Sequence, residues 1–216
     1  MILDGKRIAF LGDSITHGEC IADKSNGYVE RVRRSKNWEK VLNYSVPGSR
    51  VGEYIGMDPR GIGPSFVQRY PDMDNEFDIV VVFGGTNDFG IGNEPLGQPE
   101  DIVAETFYGA VNVLMKGLKD KYPEAVIIFM TPLHRKNEDI PNEFNGAVLR
   151  EYVEIIKQRA VRYDIYVLDL YSSDSLKPDD TYYAEIILED GIHPNEKGHE
   201  IIAVELLEFM EKLEKN

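Results

Sequence analysis

The sequence predicts an α/β protein: a parallel five-stranded sheet with helices on both faces, a three-layer α/β/α arrangement in a single domain spanning 1–216. Three observations predict it. Short apolar runs of strand length alternate with longer runs of helical period. The middle short runs, IVVVF at 79–83 and VIIFM at 126–130 above all, have the Val, Ile and Phe content of strands buried on both faces. Strands separated by helices imply right-handed crossovers, and those build a parallel sheet.

The elements follow in chain order. A strand is expected at 7–11, where Ile8, Ala9, Phe10 and Leu11 form an apolar run. A weak, basic helix follows at 25–36 and a second strand at 40–45. The third strand covers 79–83. Val103, Phe107, Ala110, Val111, Leu114 and Leu118 then fall on one helical stripe. The fourth strand covers 126–130. Leu149, Tyr152, Val153, Ile156, Ala160 and Tyr163 make the next stripe, ahead of a fifth strand at 165–168. Ile202, Leu206, Met210 and Leu213 mark the last helix. Pro123 and Pro194 sit where helices end or begin, and Pro194 suits the first turn of the last helix.

At 216 residues the chain is long enough for a sizeable core. Its net charge of −14 disfavours nucleic acid, whose affinity rests on Lys and Arg, and also docking on anionic membranes. One cysteine, Cys20, excludes an intrachain disulfide. The opening residues run directly into the first strand with no leader pattern, so a cytoplasmic protein is expected. The sequence is silent on oligomeric state.

Chemistry concentrates in loops that follow strands, where open α/β sheets bind ligands. GDSIT at 12–16 ends the first strand and offers the hydroxyl of Ser14. The same letters suit a helix cap or a phosphate-binding turn. DGIHP at 190–194 offers an imidazole, His193, three residues after a carboxylate, Asp190, with Gly191 between them for a tight bend. A serine nucleophile needs such a base and such an orienting group. A surface turn would also use these residues. GGTND at 84–88 offers the amide of Asn87, and Gly48 offers an unobstructed backbone N–H; both suit an oxyanion hole, and both suit ordinary turns. Of the other histidines, His134 follows the fourth strand beside Arg135, and the two are candidates, with Asp13, for contact with substrate. His17 reads as substrate contact or structure, and His199 as structure.

The ordered set of GDSIT, Gly48, GTND at 85–88 and DGIHP resembles the GDSL family of hydrolases, the SGNH superfamily. The resemblance spans nearly the whole chain and implies a flavodoxin-like fold. It implies that Ser14 is the nucleophile, His193 the general base and then acid, and Asp190 the orienter of His193. The backbone N–H groups of Ser14 and Gly48 and the side chain of Asn87 would form the oxyanion hole. No cofactor or metal is implied. Two departures stand out. Ile15 replaces the usual leucine, and Val46-Pro47-Gly48 replaces a more glycine-rich stretch.

The implied activity is hydrolysis of a small carboxylic ester through an acyl-enzyme. Tyr54, Arg60, Phe66, Tyr182 and Tyr183 are expected to give the cleft a polar, aromatic lining. Such a lining suits a short acyl group, such as acetyl, on a polar alcohol such as a sugar. Two alternatives remain at this level. One is an acyltransferase using the same residues, and the other a non-catalytic flavodoxin-like module that binds a phosphate or nucleotide.

Overall fold

A computed structural model describes residues 1–213. The chain runs β1 (Arg7–Gly12), α1 (Ser14–His17), α2 (Tyr28–Ser35), β2 (Lys40–Ser45), α3 (Phe66–Arg69), β3 (Ile79–Phe83) and α4 (Thr86–Ile91). It continues through α5 (Phe107–Lys121), β4 (Val126–Met130), α6 (Leu149–Tyr163), β5 (Tyr166–Leu168), α7 (Asp180–Glu185) and α8 (Glu196–Lys212). The five strands form one sheet in the order β2-β1-β3-β4-β5, and every neighbouring pair is parallel.

Alternation along the strands sorts the core into two layers. Ala9 and Leu11 of β1, Val80 and Val82 of β3 and Phe129 of β4 face α3, α5 and α6. Ile8, Phe10, Ile79, Val81 and Ile128 face α2, α7 and α8. All ten are fully buried, so both sheet faces are covered. The order reverses at β1, which lies between β2 and β3. The chain therefore leaves the carboxyl ends of β1 and β3 side by side, the position of the ligand crevice in this topology. Among the described residues, no helix is long and apolar enough to cross a membrane.

Several element boundaries differ from the sequence reading. The stripe starting at Val103 becomes a helix only at Phe107, because the Thr106 hydroxyl accepts the Gly109 N–H and caps it there. Val103 is exposed. The region 25–36 divides at Gly27, whose extended backbone separates a 3-10 turn, Lys24–Asn26, from α2. The fifth strand starts at Tyr166, since Asp164 takes a left-handed conformation to end α6 and Ile165 N–H is still bonded to Ala160 O. Helix α8 starts at Glu196, six residues before the stripe, with Asn195 as its cap. Pro194 is therefore outside the helix, in an antiparallel bridge with Ile187.

Candidate active site

At the end of β1, Gly12 lets the chain turn into α1 without obstruction: a Cβ there would stand 1.9 Å from Thr16 Oγ1. Asp13 caps α1, its Oδ1 accepting the Ile15 N–H at 2.9 Å. Ser14 is the first helical residue and is largely buried. Arg69 Nη2 donates to Gly12 O at 3.0 Å and pins this strand exit.

The second part comes from the other end of the chain. Leu188 N–H donates to His193 O, and Asn195 N–H donates to Ile186 O, which closes the segment between them into a tight loop. Gly191 bends it with φ +72°, and its α-carbon packs so closely on Lys136 that a Cβ would meet the Lys136 chain at 2.3 Å. Asp190 Oδ1 accepts the N–H groups of Ile192 and His193 at 2.8 and 3.0 Å. Its Oδ2 lies 2.6 Å from His193 Nδ1, and His193 Nε2 lies 2.8 Å from Ser14 Oγ. Partial burial pushes the Asp190 carboxyl up, but the His193 N–H, its ring and the Ile192 N–H outweigh that and hold it below the usual range. A charged Asp190 fixes the proton on Nδ1, so Nε2 accepts from the Ser14 hydroxyl.

The third part follows β3. Gly85 caps α4, and Asn87 is its second residue. Asn87 Nδ2 donates to Ser49 O at 3.0 Å and lies 3.3 Å from Asp13 Oδ2. The neighbouring Asp88 is fully buried and accepts the Val51 and Gly52 N–H groups at 3.0 and 2.9 Å. It thereby ties the loop carrying Gly48 and Ser49 to α4. Gly48 has φ +75°. Among the described residues, no protein group accepts the backbone N–H of Ser14 or Gly48.

Other candidates stand differently. Asp13 is 1% exposed, so its carboxyl serves the cap and Asn87 and does not line an open cleft. Burial, reinforced by Asp88, pushes it up to about 7 against the opposing bond from Ile15 and the Arg69 charge. His134 is nearly buried, bonded through Nδ1 to Glu138 at 2.8 Å and packed on Tyr171. Arg135 donates to the Thr86 carbonyl and hydroxyl and lies over the Phe89 ring, bracing α4. Phe66 and Tyr182 belong to the two core layers, not to the cleft lining. His17 is half-buried beside Ser45 Oγ. His199 is fully buried, accepts the Tyr28 N–H and joins α8 to α2.

Sequence reasoning missed Asp88, Glu94 and the placing of Cys20. Asp88 is visible in GTND but reads as a turn residue, because its partners lie 36 and 37 positions away. Glu94 is fully buried with neither carboxylate oxygen bonded, and no local pattern announces it. Burial first, and Asp88 second, push it up to about 8. Cys20 lies beside Asp190 and His193, which nothing near it in sequence suggests.

The model of the GDSL-like Lipase/Acylhydrolase family matches residues 10–201. Among solved structures, a protein from Lactobacillus plantarum is 29% identical with a TM-score of 0.83, over 98% of this chain and 99% of that one. A member of the lipolytic G-D-S-L family from Veillonella parvula is 21% identical with a TM-score of 0.64, over 94% and 96%. A two-domain esterase active on acetylated mannans is 16% identical with a TM-score of 0.65; 99% of this chain covers 51% of that one. Curated proteins yielded no match. With its family model covering most of the chain and its motifs gathered at one sheet edge, this protein belongs to the GDSL-like lipase/acylhydrolase family.

Proposed function

We propose that this protein hydrolyses small carboxylic esters through an acyl-enzyme on Ser14. The observation that carries the reading is the continuous relay Asp190–His193–Ser14, with contacts of 2.6 and 2.8 Å. Ser14 Oγ attacks the ester carbonyl carbon while His193 Nε2 takes its proton, and the imidazolium is held by Asp190. Negative charge develops on the former carbonyl oxygen. The N–H groups of Ser14 and Gly48 are open donors for it, and Asn87 Nδ2 is a third that exchanges its long contact to Asp13 for a shorter one to the oxyanion. As the C–O bond breaks, the alkoxide leaves as alcohol with the proton from His193. Water, deprotonated by the same nitrogen, attacks the acyl carbon, and Ser14 recovers its proton.

The substrate is read as a short acyl group, acetyl above all, on a polar alcohol such as a sugar. Lys136 packs on Gly191 beside His193, and beyond it lies an open cavity of about 300 Å³ bordered by Phe89, Arg135, Lys136 and Asn142. That is the small end of ligand sites, and its border mixes Lys136, Asn137, Asn142 and Glu143, a polar edge that suits a hydroxylated leaving group better than a long chain. The shared fold with an esterase active on acetylated mannans agrees with this reading.

The test compares acetyl, butyryl and octanoyl p-nitrophenyl esters on wild type and Ser14→Ala. Turnover should be highest on acetyl and vanish in Ser14→Ala, and a fluorophosphonate probe should label Ser14. Wild-type turnover by Ser14→Ala rules out the serine mechanism, and preference for octanoyl rules out the short-acyl reading.

A further inference from the structure

We propose that Cys20, Asp190 and His193 bind a borderline-soft divalent metal ion, zinc above all, and that the bound ion switches the Ser14 site off. The binding stands on these three side chains; the inhibition rests on the catalytic reading given above.

The Cys20 sulfur, an Asp190 carboxylate oxygen and a His193 ring nitrogen all lie within 4.8 Å of one another. Sulfur, imidazole nitrogen and carboxylate oxygen are the donors zinc selects, at bond lengths of about 2.0–2.3 Å. In tetrahedral geometry such bonds put neighbouring donor atoms roughly 3.3–3.5 Å apart, so side-chain movements of about 1 Å close the site. A hard cation such as magnesium or calcium would want oxygen donors alone. Cys20 is exposed and the Asp190 side chain is 37% exposed, so an ion enters from solvent.

The surroundings favour a cation. Glu19 neighbours Cys20, its carboxylate shared with Lys24 at 3.3 Å, and the chain carries a net charge of −14. Burial, then the Asp190 and Glu19 charges, push the Cys20 thiol up, against Lys24, so the free thiol is protonated. Binding forms the sulfur–metal bond and releases that proton to solvent; no electron changes hands. If Nε2 binds, it gives up the Ser14 hydroxyl and the proton stays on Nδ1; if Nδ1 binds, it gives up Asp190 and its proton moves to Nε2, which then cannot accept from Ser14, so either mode breaks the relay.

The experiment uses the purified protein and its Cys20→Ser variant in chelator-free buffer. Cobalt(II) should give wild type a near-ultraviolet thiolate-to-cobalt charge-transfer band, which zinc displaces. Zinc should also inhibit p-nitrophenyl acetate hydrolysis, with recovery on adding EDTA. Cys20→Ser should keep its metal-free hydrolysis, show no band and need about tenfold more zinc or above for half-inhibition. Cys20→Gly, which suits the backbone at φ 69°, is a second variant should serine disturb the loop. No band in wild type, or equal zinc sensitivity in a folded Cys20 variant, overturns the proposal. A band in a protein that hydrolyses no ester upholds the metal site and overturns the esterase reading instead.

Discussion

At the scale of single residues, the site is a matter of who holds which proton. Asp190 stays charged because two backbone N–H groups and the His193 ring converge on it, and that charge leaves His193 Nε2 free to accept from Ser14. Asn87 is the residue whose role is easiest to isolate. Its amide bridges Ser49 O and the Asp13 carboxyl, so the two loops that flank Ser14 meet at one side chain. Asn87→Ala should lower kcat by about 10²–10³, the usual effect of losing one oxyanion donor, with a smaller change in KM. Steady-state kinetics on p-nitrophenyl acetate decide it, and an unchanged kcat removes Asn87 from the hole. Ser14, Asp190 and His193 stood out in the sequence because few residue types can supply a nucleophile, a base and its orienter, and the structure brings the three into hydrogen-bond contact. The contact between Asn87 and Asp13 did not stand out, since it joins positions 74 apart.

At the scale of elements, α4 is the brace of the site. It carries Asn87 outward and, through Asp88, holds the Val51 and Gly52 N–H groups of the loop after β2. The carboxylate of Glu94, in the segment after α4, has neither oxygen hydrogen-bonded, and the charge of Asp88 adds to burial in pushing it up. The sign of its effect on stability follows. Glu94 is pushed up to about 8 from an ordinary 4.5, so between those values the folded chain keeps a proton that the unfolded chain has released. Stability therefore falls as pH rises through that window. Asp13, pushed up to about 7 from 3.8, adds a slope of the same sign at lower pH. The interval from about pH 7 to about 8 is therefore where the slope of Glu94 stands apart from that of Asp13. Glu94→Gln should flatten the fall in Tm across that interval, as thermal melts in matched buffers would show; an identical slope in the variant excludes Glu94 as its source. Short helices such as α3, α4 and α7, of four to six residues, carry too few turns for a periodic signal. Long helices such as α5 and α6 showed plainly in the sequence, apart from their first turns, which capping decides.

At the scale of the molecule, the sheet separates two cores that share strands but not helices. Leu114 of α5 is fully buried on one side and Ile202 of α8 on the other. Leu114→Ala and Ile202→Ala should each cost about 2–5 kcal/mol. Because the sheet stands between them, the double variant should show their sum to within about 0.5 kcal/mol. Urea unfolding of the three variants measures this, and a large departure from additivity would mean that the layers communicate. Neither change touches the relay, so kcat in the absence of urea should hold.

The sequence by itself determined the parallel sheet, the two helical layers and the residue types of the relay. Periodicity follows from local backbone geometry, and nucleophile, base and orienter can be supplied by few side chains. Tertiary structure alone decided that Ser14 and His193 meet across 179 positions, that Asp13 is a buried cap and Phe66 and Tyr182 are core, that the Glu94 carboxylate is buried with no hydrogen bond, and that Cys20 stands beside the relay. Each of these is a distance between remote parts of the chain. Such distances are set by how the strands order themselves in the sheet and how the loops pack at its edge, which no local stretch of sequence encodes.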